Sequence, residues 1–149
     1  MTEIRFYHLM RGSLEDVLPR MLDLTLERGK RAVVLLGSAE RVEALNAHLW
    51  TFEPGSFLPH GCARDGHAER QPVWLTHLDE NPNGATYLFV ADGARSERTG
   101  EFERVSEIFD GRDEVALAEA RARWAAYKAE GCALEYWQQG ERGGWEKKT

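Results

Sequence analysis

The sequence predicts a three-layer α/β/α domain built on a largely parallel sheet. Two observations carry that expectation. Short apolar runs alternate along the chain with segments of helical periodicity, and one run, Ala32 to Leu36, is apolar without interruption, as a strand covered by helices on both faces must be. A third observation is size, since 149 residues with 42% hydrophobic side chains suffice for one core and no repeat or long linker sets off a second. Residues 1–149 are therefore read as a single domain, with residues 140–149 as a tail free to flex.

The elements follow in order. Ile4-Arg5-Phe6-Tyr7-His8-Leu9 is short, aromatic-rich and followed by Gly12-Ser13, which marks a strand over residues 3–9. Ser13, with Asp16 three positions on, starts a helix in which Leu14, Leu18, Met21, Leu22 and Leu26 recur at helical spacing until Gly29, although Pro19 weakens its first turns. Ala32 to Leu36 is the central strand. Gly37-Ser38 then turns into a second helix with Ser38 as its cap and Val42, Leu45 and Leu49 on one face, ending at Trp50. Val73 to Thr76 and Thr86 to Val90 read as two further strands, and Arg104 to Phe109 as the last. Asp113 to Glu130, rich in Ala, Glu and Arg and closed by Gly131, is the clearest helix. The segments Arg64 to Arg70 and Glu80 to Gly84 read as exposed loops. Parallel strands joined through helices require right-handed crossovers.

Charge narrows the function classes. A formal charge of -6 is the wrong sign for holding nucleic-acid phosphates over a broad face, so contact with DNA is expected to be mainly indirect. The longest aliphatic run is far shorter than the roughly 20 residues of a membrane helix, and the first residues lack the basic and apolar regions of an export signal. The expectation is a cytoplasmic protein with no membrane contact. Cys62 and Cys132 form no CxxC and are read as reduced thiols.

For enzyme chemistry, Leu35-Leu36-Gly37-Ser38 places a glycine and a helix N-terminus at the end of the central strand, where phosphates often sit. The further glycines of a dinucleotide fingerprint are missing, as is a P-loop, and Gly29-Lys30 precedes a strand instead of opening a helix. A small nucleotide-binding enzyme stays as the alternative reading. His60, Cys62 and His67 lack a fourth metal ligand, there is no GxSxG, and Asp65, Glu69, Asp79 and Glu80 have no evident reason to pair. No catalytic constellation, metal or cofactor is expected.

Two surface signals remain. Trp50, Phe52, Phe57 and Leu58 surround a Glu53-Pro54-Gly55-Ser56 turn, and pattern alone fits a partner patch and a cap on the sheet's end equally well. In the last helix Arg121, Trp124 and Lys128 fall at i, i+3 and i+7, a cationic and aromatic stripe suited to an acidic peptide with a bulky end. Pattern alone favours the plainer reading of that stripe, a solvated face with Trp124 turned inward. Direct binding of single-stranded DNA would need a basic groove with stacking aromatics, and only the Trp124 stripe comes near that description.

Phe6-Tyr7, Gly29-Lys30-Arg31, Leu49-Trp50, Ser56-Phe57-Leu58-Pro59-His60 and the ending Arg121-x-Arg123-Trp124-x-x-Tyr127-Lys128-x-x-Gly131, taken in this order and spacing, resemble the chi subunit of bacterial DNA polymerase III. The resemblance runs from residue 3 to about Trp137. It implies a Rossmann-like fold without the glycine fingerprint and an accessory subunit of the clamp-loader assembly with no active site of its own. It further implies an interface with the psi subunit at Trp50, Phe57 and Pro59. A second, remote surface would bind the acidic, phenylalanine-ended C-terminal tail of single-stranded-DNA-binding protein, with Arg121, Trp124 and Lys128 at the matching positions. The chain departs from the family pattern at Ala125, where a basic residue often follows the aromatic one, so a weaker hold on the tail is expected. Lys128 is the better compensating cation, because Arg123 stands about 160° around the helix from Arg121.

Overall fold

The computed structural model describes residues 2–53 and 57–149. Its elements are β1 (Glu3–Leu9), α1 (Leu14–Glu27), β2 (Ala32–Leu35), α2 (Ala39–Thr51), β3 (Gly61–Cys62), β4 (Val73–Thr76), β5 (Tyr87–Val90), β6 (Arg104–Asp110), α3 (Glu114–Ala129), β7 (Ala133–Gln139) and β8 (Trp145–Lys147), with single 3-10 turns at Ala68–Arg70 and Thr99–Glu101. The eight strands form one sheet in the order β3-β4-β2-β5-β6-β1-β7-β8. Every neighbouring pair is parallel except β7 with β8.

The expected α/β/α layering with a mostly parallel sheet is what the chain adopts. Leu14, Leu18 and Leu22 of α1 and Val42, Leu45 and Leu49 of α2 pack on one face against Val34, Phe89 and Ile108. On the other face Ala120 of α3, with Trp124 and Tyr127 beside it, packs on Ile4, Phe6, Val105 and Phe109. The two faces of β1 separate by the period of two, with Phe6 and His8 toward α3 and Arg5 and Tyr7 toward the opposite side. All four residues of β2 are buried, which is why that strand reads as unbroken apolar sequence.

Three strands escape the sequence reading. β3 is only two residues long, and β7 (its last residue, the buried Gln139, apart) and β8 carry half-exposed or exposed side chains among Glu, Gln and Lys, so hydrophobicity does not announce them. The sheet therefore does not end at Arg104–Phe109. Residues 140–149, expected to flex, contain β8, and beyond it the Lys148 amide donates to the Tyr136 carbonyl at 2.7 Å. The Glu80 to Gly84 loop is not wholly exposed either. Its Asn83 is buried, donating to the carbonyls of Gln71 at 2.8 Å and Ala32 at 3.1 Å.

Helix ends follow their capping chemistry. The Asp113 carboxylate accepts from the amides of Val115 (2.9 Å) and Ala116 (3.2 Å), and the Ser38 hydroxyl accepts from the Arg41 amide at 3.2 Å. At α1 the reciprocal contact is the firm one, with Asp16 accepting from the Ser13 amide at 2.8 Å. α1 runs straight through Pro19. Proline has no N–H for the carbonyl four residues back, which is Glu15, and the His48 Nε2–H of α2 supplies the missing donor at 2.7 Å. His48→Ala should therefore cost about 1–2 kcal/mol through the orphaned carbonyl, measurable as a lowered urea midpoint at unchanged slope.

Candidate functional site

Three places on this scaffold could do chemistry or recognition. The first is the crevice at the carboxyl ends of the central strands, a cavity of about 490 Å³ between the starts of α1 and α3. In such folds this crevice usually takes phosphates. Here it is filled with ion pairs. Arg41 bridges Glu15 and Asp92 (3.0 Å to the latter), Arg112 holds Asp110 at 2.9 Å, and Arg123 faces Glu107 at 3.0 Å. Asp113 and Glu119 line it as well, leaving carboxylates in excess over guanidinium groups. Gly37, the residue that suggested a phosphate turn, has a different purpose. A Cβ there would collide with the Asp92 carbonyl oxygen, so glycine is needed for close chain approach.

Asp65, Asp79, Glu80 and His60 are engaged in local structure, while His67 and Glu69 are exposed. Asp65 accepts from the Cys62 amide at 3.0 Å, Asp79 from the Ser96 hydroxyl at 2.6 Å, and Glu80 from the Thr76 hydroxyl at 2.6 Å. His60 is buried with Nδ1 against the Leu58 carbonyl at 2.7 Å. Among the described residues no group of three His, Cys, Asp or Glu could hold a metal ion. Cys62 and Cys132 are free thiols, and burial pushes the Cys62 thiol up from its ordinary value.

The second place is the end of α2. Trp50 is 52% exposed and Phe57 67% exposed, their rings 5.8 Å apart. Pro59 beside them is half-buried, and the His60 ring braces Trp50 from below at 4.9 Å. The four apolar residues of the sequence reading thus divide. Leu58 is buried in the core and Phe52 half-buried, while Trp50 and Phe57 face solvent. The pairing of β3 with β4 holds this geometry, because Cys62 and Leu58 are drawn into the core and turn Phe57 outward. Gly61 permits it, since the Gln71 side chain occupies the space of a Cβ there. Pro54, Gly55 and Ser56 lie outside the described residues.

The third place is a groove of about 350 Å³ between α3 and the sheet. Phe109, Leu117, Ala120, Trp124 and Tyr136 wall it, and Arg121 stands exposed at its rim. Trp124 is half-buried, edge-on to Phe6 at 5.4 Å and to Tyr136 at 5.6 Å. Tyr136 is fixed in turn by a 2.6 Å hydrogen bond to His8 Nδ1. Burial and then the Arg121 charge hold the His8 imidazole below its ordinary value. Gly111 leaves room for that ring, since a Cβ there would collide with His8 Nε2.

Arg121 and Trp124 meet in this groove as their spacing predicts, and Lys128 does not. It is exposed one turn further along α3, beyond the groove's walls, because the groove spans only the turns from Leu117 to Trp124. Arg123 is turned inward onto Glu107 and offers no charge to the groove. Sequence reasoning missed Phe109 and Tyr136. The available signal for Tyr136 was the alternation Leu134, Tyr136 just past the Gly131 stop, where a helix in an α/β fold must return to the sheet.

A family model described as DNA polymerase III chi subunit, HolC, matches residues 1–135. The chain belongs to the DNA polymerase III chi subunit family. A protein of Rickettsia prowazekii (strain Madrid E), named probable DNA polymerase III subunit chi, is 28% identical over 90 residues, which cover 60% of this chain and 54% of that relative. The match thus spans about half the relative's length. The chi family is an accessory subunit of the replication polymerase, and both surface features described above lie on a chi-type chain. No helix is long and apolar enough to cross a membrane among the described residues.

Proposed function

We propose that this chi-family chain is a non-catalytic adaptor in the clamp-loader assembly of DNA polymerase III, linking it in the cytoplasm to single strands coated by single-stranded-DNA-binding protein. The observation that carries the reading is the α3 groove. Ring walls with one guanidinium at the rim suit an aromatic residue that bears a terminal carboxylate, because the ring is buried while Arg121 pairs with the anion. The exposed Trp50 and Phe57 pair, with Pro59 beside it, is the proposed seat of the psi subunit. A large exposed aromatic at the end of α2 with a second exposed ring beside it suits a hot spot. The alternative, a small nucleotide-binding enzyme, is disfavoured by the carboxylate excess in the strand-end crevice, which would repel phosphates.

The test is calorimetric titration with an acidic peptide ending in phenylalanine. Saturable binding is expected, weakened at least tenfold in Arg121→Ala and lost with a peptide lacking its last residue, as the loss of a charge-assisted hydrogen bond worth about 1.5–3 kcal/mol requires. Trp50→Ala and Phe57→Ala should leave that titration unchanged and abolish capture of psi, with stability altered by about 0.5 kcal/mol or less. Binding indifferent to Arg121 would defeat the reading of the groove.

A further inference from the structure

One sheet face carries side chains that neither proposed interface uses. Strand pairing places Arg5 of β1 beside Ser106 of β6 and Glu135 of β7, and Tyr7 beside Trp137, which faces Lys147 of β8. These residues share the face on which α1 lies, and the β1-β7-β8 end of it is left half-exposed. At its inner border a small cavity of about 90 Å³ is lined by three guanidinium groups, Arg5, Arg28 and Arg104, with Tyr7, Ser106 and Leu24. Arg104 lies over the Tyr87 ring at 4.9 Å and its Nε is buried with no hydrogen-bond partner. Arg5 lies over the Trp137 ring at 5.8 Å, and Trp145 meets the Tyr7 ring at 5.1 Å.

We propose that this face binds single-stranded DNA, with a phosphodiester in the three-arginine cavity and bases stacked on Trp137 and Trp145. Charge and pattern favour this occupant. Arg5, Arg28, Arg104 and Lys147 exceed Glu3 and Glu135 on the face by two charges, in a chain whose net charge is -6. Across neighbouring strands the face runs from two cations, Arg104 and Arg5, to the Trp137 ring and then Lys147 directly opposite it, so a ring is flanked by cations, the combination that single-strand binding uses. An acidic peptide with one bulky end would engage a single ring, whereas successive bases of one strand engage both Trp137 and Trp145. A duplex has no free base faces for them. The proposal is independent of the α3 groove, which lies on the opposite face of the sheet.

Fluorescence anisotropy of labelled oligothymidylate at low salt tests it. Binding is expected to be saturable, tighter than to a duplex of equal length, and several-fold weaker in Arg28→Ala and in Lys147→Ala. Both residues are exposed, so unchanged melting curves should accompany the loss. Each variant should also lower the slope of log affinity against log salt by about 0.7, the value for one lost phosphate contact on a single strand. Arg121→Ala should bind as the parent does. Absence of binding at low salt overturns the proposal, as does binding lost in Arg121→Ala and indifferent to Arg28, or equal binding of duplex. Complete displacement by millimolar inorganic phosphate would reduce the site to a free-anion pocket and overturn it too. An acidic peptide whose affinity falls in Arg28→Ala but not in Arg121→Ala would assign the face to a protein partner instead.

Discussion

Phe6→Ala should destabilise the fold by about 3–5 kcal/mol, which for a chain of this size lowers the melting temperature by roughly 10 °C. Phe6 is fully buried in the middle of β1 and stands at the hub of an edge-on ring cluster, 5.4 Å from Trp124, 6.1 Å from Tyr127 and 6.4 Å from Phe109. Removing it opens a cavity that rigid neighbours on a strand and a helix close only in part. Phe6→Leu keeps most of the volume and should cost below about 1.5 kcal/mol. The change reaches the groove as well, because Trp124 and Phe109 rest on that ring. The folded fraction of Phe6→Ala should therefore bind the phenylalanine-ended peptide less tightly although Arg121 is intact. Urea denaturation followed by titration separates the two effects. A variant within about 1 kcal/mol of the parent would mean that the ring cluster collapses around the gap and does not fix the groove.

What was legible in the sequence follows from which interactions are local. β1, β2, β4, β5 and β6 and all three helices announce themselves, since their periodicity and caps are properties of a few consecutive residues. β7 does not, because its pairing depends on the open edge of β1, more than 120 positions away at Tyr7 and Trp137. Half of the groove shares that fate. Arg121 and Trp124 are one helical turn apart and visible as a stripe, whereas Phe109 and Tyr136 arrive from two strands that only the sheet brings together. Lys128 fits the stripe by angle and misses the groove by length along the axis, a distance that helical periodicity does not report. The angle that sets Arg123 off the Arg121 stripe is legible, but its partner is not, because the buried Glu107 lies in a strand whose other members are read for their hydrophobicity.

That buried pair carries the other large effect, since Arg123→Ala should cost about 3–5 kcal/mol at pH 7, the penalty for leaving a buried charge alone. The Glu107 side chain is 3% exposed and that of Arg123 13%, and Tyr127 O–H donates to the remaining Glu107 oxygen at 3.0 Å. Burial raises the Glu107 carboxyl above its ordinary value of 4.5, and the lowering by Arg123 and Tyr127 does not cancel it. A raised carboxyl binds its proton more tightly in the folded chain than in the unfolded one. Its contribution is therefore full below pH 4.5 and declines as pH rises through the folded value, so the ionised pair costs stability at neutral pH. Glu107→Gln should accordingly be close to neutral or stabilising at pH 7. In Arg123→Ala the lone carboxyl takes up a proton more readily still, and part of the lost stability should return near pH 5. The double variant should be milder than Arg123→Ala alone, because the orphaned charge is gone. Guanidinium unfolding of the three variants at pH 7 and pH 5 reads all of this, and equal, pH-independent losses in both single variants would refute it. The pair also bears on recognition. Arg123 adjoins Trp124 and ties α3 to β6, which fixes the rotation of the helix that presents Arg121 to the groove. Arg123→Ala should thus weaken peptide binding even where it stays folded, whereas Glu107→Gln, which keeps an oxygen opposite the guanidinium, should not.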